Sequence, residues 1–206
     1  SNNWQVLRYQ RSGYIAQIVG SPINALNKHA SDTEVTSEVN TLANQIGTEF
    51  GLYDFDFLVT KVNRFNDLIS VFVQVEFEDH KVYGAFMAFT FTTAGNLVSV
   101  KGRGFGSDMQ GGFSLDNAQA VEIALQTTEL SKAESLTEQV WLPIVSSDGE
   151  TILRATIQVD LSPNDPSLRP AIYIDASNGE VLAAENRIYY DRVDGQIQGE
   201  FLPLFP

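Results

Sequence analysis

"TILRATIQVDL", Thr151–Leu161, decides how the rest of the chain reads. Leu153, Ala155, Ile157, Val159 and Leu161 point one way along an extended strand, and Arg154, Thr156, Gln158 and Asp160 point the other. That alternation predicts an antiparallel sheet with one buried and one wet face. "IYIDASNGEVLAAENRIYY", residues 172–190, follows as strand, turn at Ser177-Asn178-Gly179, and strand. "LISVFVQVEFEDH" and "KVYGAFMAFTF" are two more long strands, and "TTAGNLVSV" turns at Gly95-Asn96. "WQVLRYQ" and "YIAQIVG" lead in. "YDFDF" reads as a helix exit into a strand, "SPNDPS" (162–167) as a turn-rich loop, and the weakly patterned residues 128–140 as a loop.

Two segments break the period of two. Val35, Val39, Leu42, Ala43, Ile46 and Phe50 fall on one helical stripe. Ser31 and Glu34 have capping-box spacing, and Gly51 suits the position after the last turn. In "SLDNAQAVEIAL", Leu115, Ala118, Val121, Ala124 and Leu125 share a face, with Ser114 as the expected N-cap. Between the helix–strand sets lies "VKGRGFGSDMQGGF", residues 100–113, which holds five of the fifteen glycines. Glycine at that density favours a linker over an element interior. The expected fold class is therefore α+β, in two similar units, each an amphipathic helix packed on a curved antiparallel sheet. The expected boundaries are 1–103, a linker at 104–113, 114–190, and a closing strand and junction at 191–206.

Composition narrows the function. With 206 residues, 43% hydrophobic and 11% aromatic, the chain can bury a sizeable core. It has no cysteine, which removes disulfides, thiol nucleophiles and Cys-based zinc sites. A net charge of −13 disfavours nucleic-acid backbones and anionic membranes as partners. No apolar run reaches the roughly 20 residues of a membrane span. The chain has no initiator Met and no signal peptide, as expected of one that starts after processing or was excised from a longer one. The apolar tail "FLPLFP" (201–206) is the expectation for a front piece of something larger.

Motifs for chemistry are sparse. There is no H-E-x-x-H, G-x-S-x-G or P-loop, and glycines 102, 104 and 106 lack the following helix a dinucleotide cradle needs. "VEFEDH" is the one constellation with metal-ligand residue types. A continuous strand would project Glu76, Glu78 and His80 from one face, with Asp79 out of line. Same-face neighbours lie roughly 7 Å apart and converge only with ligands from elsewhere, so the segment reads as a wet face ending in a turn. No metal, cofactor or catalytic residue is expected, and the default is a non-enzymatic folding or binding module.

"HKVYGAFMAFTFTTAGNLVSVKGR", residues 80–103, resembles the propeptide motif of fungalysin- and thermolysin-type peptidases, through Val82, Tyr83, Gly84, Ala85, Gly95, Val98, Ser99, Val100 and Gly102. "SLDNAQAVEIAL" followed by "RPAIYIDASNGEVLAAENRI" resembles the PepSY module, through Ser114, Ala118, Ala120, Asp175, Ala176, Asn178, Gly179, Glu180, Val181 and Leu182. "GQIQGEFLPLFP" is similar to the strand that closes such propeptides. The resemblance covers most of residues 31–206. It implies a secreted or periplasmic bacterial prodomain that inhibits a zinc metallopeptidase and assists its folding. The implied partner is the downstream peptidase domain of the same precursor. Proximity to that junction makes Arg187, Tyr189, Tyr190, Phe201 and Leu202 the expected partner contacts. The alternative is an accessory protein-binding module of a secreted multidomain protein.

Overall fold

A computed structural model describes residues 4–146, 150–165 and 167–187. The fold is α+β and mostly sheet. In chain order the elements are β1 (Gln5–Arg8), β2 (Ile15–Asn24), α1 (Asp32–Ile46), β3 (Asp56–Phe65), β4 (Leu68–Phe77), β5 (His80–Thr92), β6 (Asn96–Arg103), β7 (Met109–Gln110), α2 (Asn117–Thr127), β8 (Glu134–Val145), β9 (Thr151–Ser162), β10 (Pro170–Asp175) and β11 (Val181–Asn186).

The first helix forms where its caps place it. Ser31 accepts from the Glu34 N–H, Glu34 returns a carboxylate to the Ser31 N–H, and Gly51 closes the following 3₁₀ turn in the left-handed region at φ 77°. The second starts two residues later than expected. Asp116, not Ser114, is the N-cap, paired with Gln119 in a capping box. The Ser114 hydroxyl donates instead to the Ala176 carbonyl, at 3.2 Å.

The described strands form one open sheet, ordered β1-β2-β6-β5-β8-β9-β10-β11, with β4 and then β3 branching from β5 and β7 beside β9. The expected split into two units does not appear as two sheets. Strand β5 joins the halves. From Phe86 to Phe91 it lies between β4 and β6; near its start, Lys81 and Val82 pair in parallel with Val140 and Trp141 of β8. The change of neighbour falls at Val82-Tyr83-Gly84-Ala85, where the register with β4 slips. Gly84, at φ 74°, takes a backbone conformation that other residues rarely adopt, and so permits the bulge. The "VYGA" stretch thus hands β5 from one set of neighbours to the other.

One core runs under both helices. Val35, Val39 and Ala43 of α1, Ala120 and Ala124 of α2, and Val71, Phe89, Phe91, Leu153 and Ile157 of the sheet belong to a single buried cluster. An aromatic ladder crosses the joint, with edge-to-face contacts Phe55–Phe77, Phe77–Trp141 and Phe113–Trp141 at 5.3–6.0 Å. The Trp141 ring N–H donates to the Phe77 carbonyl at 3.1 Å.

Residues 104–113 are held along their length. The Gly106 N–H donates to the Gly51 carbonyl at 3.0 Å, Met109 and Gln110 pair with Leu153 and Arg154, and the Gly112 N–H donates to the Ser177 hydroxyl at 2.9 Å. The glycine content reflects close approach as well as freedom: a Cβ on Gly104 would lie 2.4 Å from the Gly51 carbonyl oxygen.

Two strand expectations need correction. Residues 134–140 of the expected 128–140 loop belong to a long strand, β8, which runs on to Val145 and pairs with β9 from Glu134↔Ser162 to Val145↔Thr151. The second face of "TILRATIQVDL" is not wet throughout: Thr156 is fully buried and Gln158 nearly so. Strand β9 is interior to the sheet, and a second apolar cluster of Leu142, Ala171 and Tyr173 lies on that side.

Candidate functional site

The face of the sheet turned away from the helices carries a compact polar cluster. Register puts Gln158 beside Tyr173, and in the next row Asp160 beside Ala171 and Glu185. Tyr83 joins from the β5 bulge and meets Tyr173 edge to face at 5.5 Å. Arg187 closes the cluster from beyond β11. Its Nε donates to Glu185 Oε1 at 2.5 Å and its Nη1 to Asp160 Oδ1 at 3.1 Å. Its Nη2 donates to the Tyr173 hydroxyl and, at 3.4 Å, to the Tyr83 hydroxyl. The Tyr173 hydroxyl in turn donates to Glu185 Oε1 at 2.9 Å, and Gln158 Nε2 to Asp160 Oδ2 at 2.8 Å. The Arg187 backbone N–H donates to the Arg169 carbonyl at 2.7 Å, which fastens the chain one residue past β11.

Charge is locked into this geometry. Burial pushes the Tyr173 hydroxyl well above its usual value; hydrogen bonds to Tyr83 and Glu185 add to the rise, and the Arg187 charge opposes it. Burial works against the Arg187 cation, but its hydrogen bond to Glu185 and the fields of Tyr173, Asp160 and Glu185 more than offset that. The guanidinium stays charged and the phenol neutral, and both are held in a fixed orientation. A depression of about 210 Å³ beside Arg187, lined also by Asp160, Ser162, Arg169 and Pro170, is smaller than the roughly 300 Å³ at which small-molecule pockets begin. The arrangement suits positioning of a chain segment and a polar contact surface. We expect Arg187→Ala to lower stability by about 1–2 kcal/mol, since each hydrogen bond to a charged group contributes a kcal/mol or more and partial exposure discounts it. Urea unfolding measures this; an unchanged midpoint would mean the cluster forms only incidentally.

A second polar knot holds the β10–β11 turn. Asp175 is buried and accepts from Arg154 Nε at 3.0 Å, Arg154 Nη2 at 2.7 Å and the Ser177 N–H at 2.8 Å. Burial pushes its carboxyl up, but the Ser177 and Arg154 hydrogen bonds and the Arg154 charge outweigh that and hold it below the usual carboxylate value. The Ala176 carbonyl receives the Ser114 and Leu115 N–H groups, so "DASNG" docks the entry to α2.

Of the sequence-nominated residues, Arg187 stands in the first cluster. Tyr189, Tyr190, Phe201 and Leu202 lie outside the described residues. Glu76, Glu78 and His80 do not share a strand face. Strand β4 ends at Phe77, which pairs with His80, and Glu78 and Asp79 form the two-residue turn, both at positive φ. Glu76 accepts from Gln74 Nε2 at 2.7 Å, and the His80 ring lies 4.1 Å from that of Phe113. Among the described residues no three His, Asp or Glu side chains are grouped so as to hold a metal ion. Sequence reading missed Tyr83, Tyr173, Asp160 and Glu185 as a set. The available signal was a tyrosine in each of two mainly apolar strands, β5 and β10.

No protein-family model matches the chain, and no curated protein matches it. Among solved structures it is similar to the Bacillus megaterium YpeB C-terminal domain, with a TM-score of 0.39 and 12% identity, over 89% of this chain and 75% of that one.

Proposed function

We propose that the chain is a non-catalytic prodomain that inhibits a secreted zinc metallopeptidase and assists its folding. In this reading residues 1–103 and 114–190 are the two propeptide units, joined by 104–113, and 191–206 lead to the peptidase. The supporting observation is the anchoring of Arg187 by Glu185, Asp160, Tyr173 and Tyr83. It holds Arg187, the residue just past β11, in one place on the sheet. A tethered inhibitor gains from such a fixed point, because a short tether raises the effective concentration of the two surfaces to the order of millimolar. A surface that binds the folded enzyme and not its unfolded chain also shifts the folding equilibrium of that enzyme.

Refolding tests this. The zinc peptidase encoded downstream in the same gene, denatured in urea and diluted, is expected to regain several-fold more activity when refolded with this chain and then freed of it by digestion. An equal yield with and without the chain, or a gene that encodes no such peptidase, would overturn the reading.

A further inference from the structure

The helix-free face of β3–β6, away from the Arg187 cluster, carries an apolar centre with a basic rim. Register pairs Leu58 with Gln74 and Gln74 with Phe86, then Lys61 with Phe72, Phe72 with Ala88 and Ala88 with Lys101; Arg103 pairs with Phe86. Leu58, Phe72 and Phe86 are 49%, 45% and 36% exposed, which sets them apart from the buried Val71, Val73, Met87 and Phe89 on the helix side of the same strands. Large apolar side chains gathered on a sheet face and rimmed by charge mark a contact surface.

The charge on this face departs from that of the molecule. The chain has 26 acidic and 13 basic residues. Yet three of the cations, Lys61, Lys101 and Arg103, flank the Phe72 and Phe86 rows; the acidic residues that share this face, Asp56 and Glu76, form the next row beyond Leu58, Gln74 and Phe86, on the side away from Lys61 and Lys101, and Glu76 is held by Gln74 Nε2 at 2.7 Å. An acidic partner is repelled by most of this protein's surface and attracted here, so the local charge selects both the face and the orientation of docking.

We propose that this face binds the partner through a carboxylate-bearing apolar surface on that partner. The proposal rests on the prodomain reading, in which the partner is the peptidase, and it adds a second grip remote from the chain junction. The experiment is inhibition of the zinc peptidase encoded in the same gene by the purified chain added in trans. Wild type is compared with Lys61→Glu/Lys101→Glu and with Phe72→Ser, at low and at high salt. All three positions are exposed, and circular dichroism checks that each variant folds. The charge-reversed variant is expected to need about tenfold more protein for half-inhibition at low salt, with the gap narrowing at high salt. Phe72→Ser is expected to lose about tenfold at both salt levels, as loss of a buried aromatic anchor does. If wild type inhibits and both variants inhibit within about twofold of it, the face is wrong and the prodomain reading stands. If wild type does not inhibit, both fail. Binding of wild type but not the charge-reversed variant to phosphatidylserine–phosphatidylcholine vesicles, with inhibition unchanged, would assign the face to a lipid surface and overturn the protein-partner proposal.

Discussion

Asp175→Ala is expected to destabilise the chain by about 3–5 kcal/mol, the usual cost of removing one partner from a buried ion pair. The Asp175 side chain is 2% exposed and its carboxylate receives two hydrogen bonds from Arg154 and one from the Ser177 N–H. Its loss leaves the Arg154 guanidinium, among the described residues, with Gln110 Oε1 at 3.3 Å, and loosens the turn on which Ser114 and Leu115 dock. The consequence for acid stability has a definite sign. The folded carboxyl titrates below its ordinary value, so the contribution is fully present above the unfolded value of about 3.9 and is lost as pH falls through the folded one. Wild type should therefore lose stability between about pH 4 and the folded titration point, and Asp175→Asn should lack that part of the slope. Urea midpoints taken from about pH 6 to about pH 2.5 read both effects. A variant within about 1 kcal/mol of wild type, or equal acid slopes, would contradict the assignment of Asp175 as the charged anchor of the turn.

The second large effect belongs to Gly104. A Cβ there would stand 2.4 Å from the Gly51 carbonyl oxygen and 2.5 Å from that of Phe50, both backbone atoms that no rotamer change can move. We expect Gly104→Ala to cost about 3 kcal/mol, at the upper end of overpacking penalties, because the 3₁₀ turn that ends α1 must shift. Gly112→Ala is the internal comparison. It meets no heavy atom within 4 Å and has no positive φ, so it should be neutral to within about 0.5 kcal/mol. Thermal midpoints of the two variants separate a packed segment from a slack one: equal midpoints would mean that 104–113 behaves as a free connection.

These two sites show what the sequence does and does not disclose. Local signals carry well. Ser31 and Glu34 announce a capping box, and the alternation in 151–161 places Leu153, Ala155, Ile157, Val159 and Leu161 in the core. What fails is information held in distant neighbours. Strand β8 reads as a loop because Thr137, Glu138 and Gln139 interrupt any apolar pattern, yet it is fixed by a full ladder to β9. The wet face expected for β9 is partly dry because other strands cover it: Gln158 lies beside Tyr173 of β10, which Tyr83 of β5, 75 residues from Gln158 in sequence, meets edge to face. Glycine density in 100–113 signals freedom and close approach alike, and only the position of Phe50 and Gly51 distinguishes them at Gly104. Glu78 reads as a strand residue because a two-residue turn of Glu and Asp lacks the usual Asn-Gly signature. Arg187 stands out in the sequence by its place in the chain, as an expected partner contact and not as the centre of this cluster; Tyr83, Asp160, Tyr173 and Glu185 come from β5, β9, β10 and β11 and meet it only once the sheet is built.

If the chain acts by presenting preformed surfaces to a folded peptidase, the two must associate as folded proteins. Calorimetric titration of the purified chain into the mature form of the zinc peptidase that the proposed function expects downstream in the same gene tests this most directly. The expected result is saturable one-to-one binding with a negative heat-capacity change, the mark of apolar surface buried between two folded partners. No heat and no complex at concentrations on the order of tens of micromolar would contradict it.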